Sequence, residues 1–327
     1  MSTTTASPTA VAAASGQRWL HLAVIWAFLI SAPFWMGHIG GYDALYSRIL
    51  IFGLAAMGLN LLLGFTGIMS FGHAAYFGLG AYGAGFVLRY WSHSTPLAIL
   101  CGIVMGTFFG VVFGALMMRR SGIYFAMLTI AFSQICYYFA YSWNSVTGGY
   151  DGLRGFTRAP LHLGSYVIDI RDNGLIFYYF VLAIFFVCTA LMGALLRSPL
   201  GRTMIALREN PQRARFLGIP NEQHVWIAFI ISTFFTAVAG SLYALLNNFA
   251  DPTTMYYVIS GNIVIMAVLG GILNFWGPLL GAAVFVWLED YISSQTVNWM
   301  SFIGVIFVVV VLFFPRGLLG FLKRRSA

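Results

Sequence analysis

A metal site, a nucleophile or a proton relay in this chain would have to be built from six histidines, three cysteines and nine carboxylates. They form no recognisable constellation. His21, His38, His73, His93, His162 and His224 show no metal-ligand spacing, and Cys101, Cys136 and Cys188 each lie inside an apolar run, as small core residues do. No Gly-x-x-x-x-Gly-Lys-Ser/Thr loop is present to cradle a phosphate, and Gly78-Leu-Gly80 lies in an apolar run rather than after a strand, so no nucleotide site is expected. Neutral polar groups remain inside apolar runs: Asn60, Thr66, Ser70, Thr129, Ser133, Gln134, Asn262 and Asn274, with His73 among them. Their amides and hydroxyls suit hydrogen bonding to a passing polar or zwitterionic solute, or to neighbouring helices. For His73, packing against a neighbouring carbonyl is the simpler expectation.

The elements that must position these groups follow from composition. Hydrophobic residues make up 60% of the 327 and charged residues only 8%, against roughly a quarter charged in soluble domains. The chain therefore reads as an all-α polytopic membrane protein. Apolar runs recur at 19–37, 49–63, 70–88, 97–118, 123–141, 175–196, 225–246, 259–273, 277–288 and 299–314, giving about ten transmembrane helices. Alternating the connecting segments between two sides puts 12 of the 17 basic residues on the side of both termini and seven of the nine acids on the other. By the positive-inside rule both termini are cytoplasmic, and the basic charge reflects topology rather than nucleic-acid binding. The Ser/Thr/Ala-rich stretch 1–18 reads as a disordered cytoplasmic tail, 19–316 as the membrane domain and 317–327 as a basic cytoplasmic tail.

Three stretches depart from plain spanning helix. Residues 60–85 hold seven glycines from Gly64 onward, and Gly270-Gly271 followed by Asn274, Gly277-Pro278 and Gly281 makes a second interruption. Paired breaks of this kind predict Gly-interrupted central helices beside a pathway, and small-residue helix packing is the alternative reading. The outer loop 142–174 contains Thr147-Gly148-Gly149-Tyr150-Asp151-Gly152, whose Gly-Gly and Asp-Gly pairs predict a compact turn. The polar island 197–223 is punctuated as two short helices: Asn210 can N-cap a helix from Pro211 to Leu217, which Gly218 and Pro220 end. With almost no ionisable group at membrane depth, ion coupling is disfavoured, and the island is expected to dock a soluble motor. Arg208, Glu209, Arg213, Ala214, Phe216 and Gly218 are its candidate contacts.

Several motifs in order then resemble the LivM-type permeases of branched-chain amino acid ABC importers. They are Gly58-Leu-Asn60 to Gly78, Thr147 to Gly152, Arg208-Glu-Asn-Pro with Ala214 and Gly218-Ile219, and Gly270-Gly271 with Gly277-Pro278 and Gly281. The resemblance implies a permease subunit in a bacterial inner membrane, paired with a LivH-type permease, two cytoplasmic ATPase subunits that bind ATP and Mg, and a periplasmic solute-binding protein. It makes the island the coupling loop, in the position of a Glu-Ala-Ala-x-x-x-Gly signature. Here Gln212-Arg213-Ala214 replaces the first three residues and Gly218 is kept. Related permeases serve urea, short amides and aromatic acids, and a stand-alone carrier is the further alternative.

Overall fold

The computed structural model describes residues 23–34, 37, 41–120, 122–163, 166–171, 173–313 and 317–324. The expected tail 1–18 and the last three residues of the basic tail lie outside the described residues. The helices in chain order are α1 (Ala23–Phe34), α2 (Asp43–Asn60), α3 (His73–Phe86), α4 (Thr95–Met117), α5 (Ile123–Ser142) and the single turn α6 (Asn144–Thr147). After the outer loop come α7 (Gly174–Arg197), α8 (Pro199–Glu209), α9 (Pro211–Phe216), α10 (Asn221–Asn247), α11 (Tyr257–Gly270), α12 (Gly277–Gln295), α13 (Trp299–Phe313) and α14 (Gly317–Arg324). All ten expected runs carry a helix. Five of these, α2 with its π-helical continuation to Thr66, α4, α5, α7 and α10, are long and apolar enough to cross a membrane. Among the described residues, the one strand pair is a small hairpin in the outer loop, Leu161–Leu163 paired antiparallel with Tyr166–Ile168.

The centre of the bundle is α3, α4 and α10, and glycine is what lets them meet. Lipid tails are as apolar as leucine, so helices in a membrane associate by close backbone packing rather than by the hydrophobic effect. Gly102, Gly106, Gly110 and Gly114 fall four apart on one stripe of α4, and each faces a residue of α10 one turn lower: Ser241, Ala237, Thr233 and Phe229. A Cβ added at Gly110 would stand 2.2 Å from the Thr233 hydroxyl, and one at Gly106 would stand 2.5 Å from the Ala237 Cβ. On the other flank of α10, a Cβ at Gly240 would stand 1.8 Å from the Phe77 carbonyl oxygen of α3.

This corrects the expectation of an interruption over 60–85. Only 67–72 leaves the helix, and Gly78, Gly80, Gly83 and Gly85 lie inside α3, where Gly80 and Gly83 let α10 and α4 approach and Gly78 and Gly85 face Met255 and the outer loop. The second break, 271–276, is also shorter than expected, because Pro278 sits in the first turn of α12 rather than in the break. At the end of the bundle away from the island, Arg48 of α2 pairs with Glu289 of α12 at 3.0 Å, and Tyr42 donates to Asp290 at 2.8 Å. These carboxylates therefore tie helix ends together.

Candidate functional site

The island folds as two capped helices with opposite duties. Ser198 N-caps α8, whose Gly201, Met204 and Leu207 are buried against the bundle, with Met204 packed among Leu62, Tyr76, Phe125 and Phe229. Asn210 N-caps α9, its side-chain oxygen accepting from the Arg213 N–H at 2.9 Å. The helix ends one residue earlier than expected, at Phe216, in a Schellman motif. Gly218 has φ of +82°, its N–H reaches the Arg215 carbonyl at 3.0 Å, and the Ile219 N–H reaches the Ala214 carbonyl at 3.2 Å. The Asn221 amide returns to the Pro211 carbonyl at 2.8 Å and closes the loop.

On this frame Ala214 is buried, whereas Glu209, Arg213 and Arg215 are exposed. Phe216 is 91% and Leu217 76% exposed. Two large apolar side chains at the tip of a rigid, arginine-flanked helix form the kind of anchor a partner's cleft takes up. Arg208 points the other way. Its guanidinium donates to the Gly64 carbonyl, and its Cγ lies 3.0 Å from where a Cβ on Gly67 would stand, so α8 is latched to the first break.

The π-helical end of α2, which runs into the first break, meets the second break. The Asn60 amide donates to the Asn274 carbonyl at 3.2 Å across 214 positions of sequence, and a Cβ at Gly64 would stand 2.1 Å from the Ile272 carbonyl oxygen. Because α2 winds as a π-helix from Leu61 to Thr66, its carbonyls shift out of α register there; Thr66 donates its hydroxyl to the Leu61 carbonyl at 3.0 Å. Gly67, at φ +79°, turns the chain back into the bundle. The second break also packs against the start of α14, where Gly317 abuts Gly271. Island, first break and second break thus form one connected layer at one end of the molecule.

Deeper in, the polar candidates separate into two sets. Ser70 and His73 belong to a buried chain of hydrogen bonds: Ser70 Oγ lies 3.0 Å from His73 Nδ1, His73 Nε2 lies 2.6 Å from Ser232 Oγ, and Ser232 donates to the Gly58 carbonyl at 2.7 Å. Thr129 and Ser133 of α5 donate to the Ala126 and Met255 carbonyls at 2.6 and 2.8 Å. Asn60, Thr66, Ser70 and His73 are all fully buried within this chain. Gln134, Asn262 and Asn274 are only half-buried, and the Gln134 Nε2 has no partner among the described residues.

At the opposite end, Thr147-Gly-Gly-Tyr-Asp-Gly152 forms the compact turn expected of it. Thr147 donates to the Ala140 carbonyl at 2.5 Å and accepts from the Gly149 N–H at 3.3 Å, while Gly148, Gly149 and Gly152 have φ of +80°, +56° and +66°. Leu153 then bridges to Ala250, Thr95 donates to the Ala159 carbonyl at 2.7 Å, and the Arg158 N–H donates to the Asn248 side chain at 2.9 Å. Asp151 and Tyr150 are left exposed on this anchored turn.

Comparison with known proteins agrees with this architecture. The family described as branched-chain amino acid transport system, permease component, matches residues 41–311. The chain is 26% identical over 318 residues to the LivM permease of Escherichia coli (strain K12), covering 92% of this chain and 73% of that one. It is 24% identical over 337 residues to a probable LivM permease of Methanocaldococcus jannaschii, covering 85% and 93%. With the LivH permease of Salmonella typhimurium it shares 23% over 291 residues, covering 82% and 91%. No solved structure matches. A match that runs from α2 through α13 takes in the island and both breaks, and the chain belongs to the family of permease components of branched-chain amino acid transport systems.

Proposed function

We propose that this chain is one of two permease subunits of an ATP-driven importer for branched-chain amino acids, seated in a bacterial inner membrane with both termini cytoplasmic. The relatives named above are permeases of that solute class, and those named LivH support a second, homologous permease as its partner. The observation that carries the reading is the capped α9 tip, with Phe216 and Leu217 exposed, held on α8, whose Arg208 grips the first break. An ATPase subunit that seats the tip would move α8, and α8 would move the layer in which the end of α2 meets the second break. The solute would be delivered to the opposite face by a periplasmic binding protein, and ATP and Mg would be bound by the two ATPase subunits.

Gly218→Val tests the coupling. A β-branched residue at φ +82° costs about 1–2 kcal/mol and strains the Schellman cap without a steric clash, since open space surrounds Gly218. Membrane insertion is expected to be unchanged while solute moved per ATP falls about tenfold, a loss of about 1.4 kcal/mol in coupling. Deleting Pro211–Leu217 abolishes ATP-driven uptake in the same assay. Full uptake by the deletion variant would refute the docking role.

A further inference from the structure

The outward stripe of α5 carries a feature that the coupling layer does not use. Gln134, Tyr137, Tyr138 and Tyr141 recur at helical spacing on one face, and their neighbours come from two other segments. Tyr137 lies 5.4 Å from Tyr138, 5.7 Å from Tyr141 and 5.1 Å from Tyr256 at the head of α11; Tyr256 lies 4.5 Å from Tyr257, and Tyr141 lies 5.7 Å from Tyr150 on the outer turn. Six tyrosine rings therefore join in one continuous patch at the outer end of the α5 and α11 seam. The patch is open, with Tyr138 63% and Tyr150 75% exposed. Directly beneath it, one turn further into the bundle, lies Gln134, whose Nε2 has no partner among the described residues.

A tyrosine belt at a lipid boundary spreads around a bundle and needs no amide below it. An unsatisfied N–H at membrane depth costs about 1–3 kcal/mol, so Gln134 calls for an acceptor from outside the chain. Tyrosine faces attract an ammonium group, and Asp251, five residues before Tyr256, adds a carboxylate to the segment that carries it. From this we infer that the stripe is this chain's wall of the solute path. The tyrosine patch is its outer mouth for the ammonium end of a zwitterion, and Gln134 is the donor that takes the carboxylate. The inference rests on the permease reading and deepens it, placing a specificity-determining residue where Asn60, Thr66, Ser70 and His73, enclosed in their own core, have no face to offer.

The test uses the assembled importer in proteoliposomes with its binding protein loaded with leucine. Gln134→Leu is expected to lower leucine moved per ATP hydrolysed about tenfold, the worth of one hydrogen bond to a charged group, with ATP hydrolysis unchanged. Gln134→Asn keeps the donor and is expected to stay within about threefold of the parent. In a background with Cys101, Cys136 and Cys188 replaced by alanine, Tyr138→Cys is expected to react with a charged, membrane-impermeant methanethiosulfonate, and loaded binding protein with ATP is expected to slow that reaction. A parental transport ratio for Gln134→Leu, or a Tyr138→Cys thiol that shows no reaction with the reagent, overturns the inference. Absence of ATP-driven uptake by the unsubstituted assembly overturns the permease reading together with it.

Discussion

Arg208→Ala is expected to leave the importer assembled and hydrolysing ATP but to reduce uptake at least about tenfold. The guanidinium is a polar link from α8 to the π-helical turn that leads into the first break, donating to the Gly64 carbonyl in a half-buried setting. A charge-assisted hydrogen bond of this kind contributes about 1.5–3 kcal/mol, and its loss frees α8 to move without dragging the break. Arg208→Lys keeps the charge but not the fork, so partial recovery is expected. The readout is a ratio, solute transported per ATP hydrolysed in proteoliposomes, which separates broken coupling from lost assembly. Equal falls in uptake and hydrolysis would place Arg208 in assembly instead.

The second large effect is structural. Gly240→Val is expected to abolish stable insertion, because its first side-chain carbon would stand 1.8 Å from the Phe77 carbonyl oxygen and 2.6 Å from the carbonyl carbon. Backbone cannot rotate out of the way as a flexible side chain can, so α3 and α10 must separate, at a cost on the order of 3 kcal/mol or more. Gly261→Val on α11 is the control: open space surrounds that glycine, and the same substitution should be tolerated there. Protein recovered in detergent as a single gel-filtration species measures both. A monodisperse Gly240→Val protein would contradict the packing described for the core.

What was legible in the sequence was local. The polar island announced its own helices because caps act within three or four residues: Asn210 reaches Arg213, and Gly218 closes on Arg215. The outer turn was legible for the same reason, since three glycines at positive φ surround Thr147 and Asp151. The meeting of the end of α2 with the second break was not, because Asn60 and Asn274 are 214 positions apart and neither residue type names its partner. Glycine carried two meanings that one-dimensional reading merges. Gly67 turns the chain, whereas Gly80 and Gly83 let helices touch, and only the neighbouring backbone distinguishes them. The α4 stripe Gly102, Gly106, Gly110 and Gly114 was available as a spacing of four, but its meaning lay in the facing residues of α10. The π-helical turn after Asn60 leaves no sequence signature of its own.

The direction of Arg208 was hidden as well. Grouped by sequence with Arg213 and Phe216 as a partner contact, it belongs in space to the inner link, whereas Phe216, Leu217, Arg213 and Arg215 face outward. In the proposed coupling, docking and transmission therefore fall to different residues of one 27-residue loop, α9 for the first and α8 for the second.

The central claim is that the α9 tip is the surface an ATPase grips, and a photo-crosslink tests it most directly. With p-benzoylphenylalanine in place of Phe216, irradiation of the assembled importer is expected to yield one adduct whose second component is the ATPase subunit. The same residue in place of Val305, exposed on α13, is expected to yield no ATPase adduct. An ATPase adduct from position 305 but not from 216, or no adduct from 216 in an importer that still transports, would contradict the account.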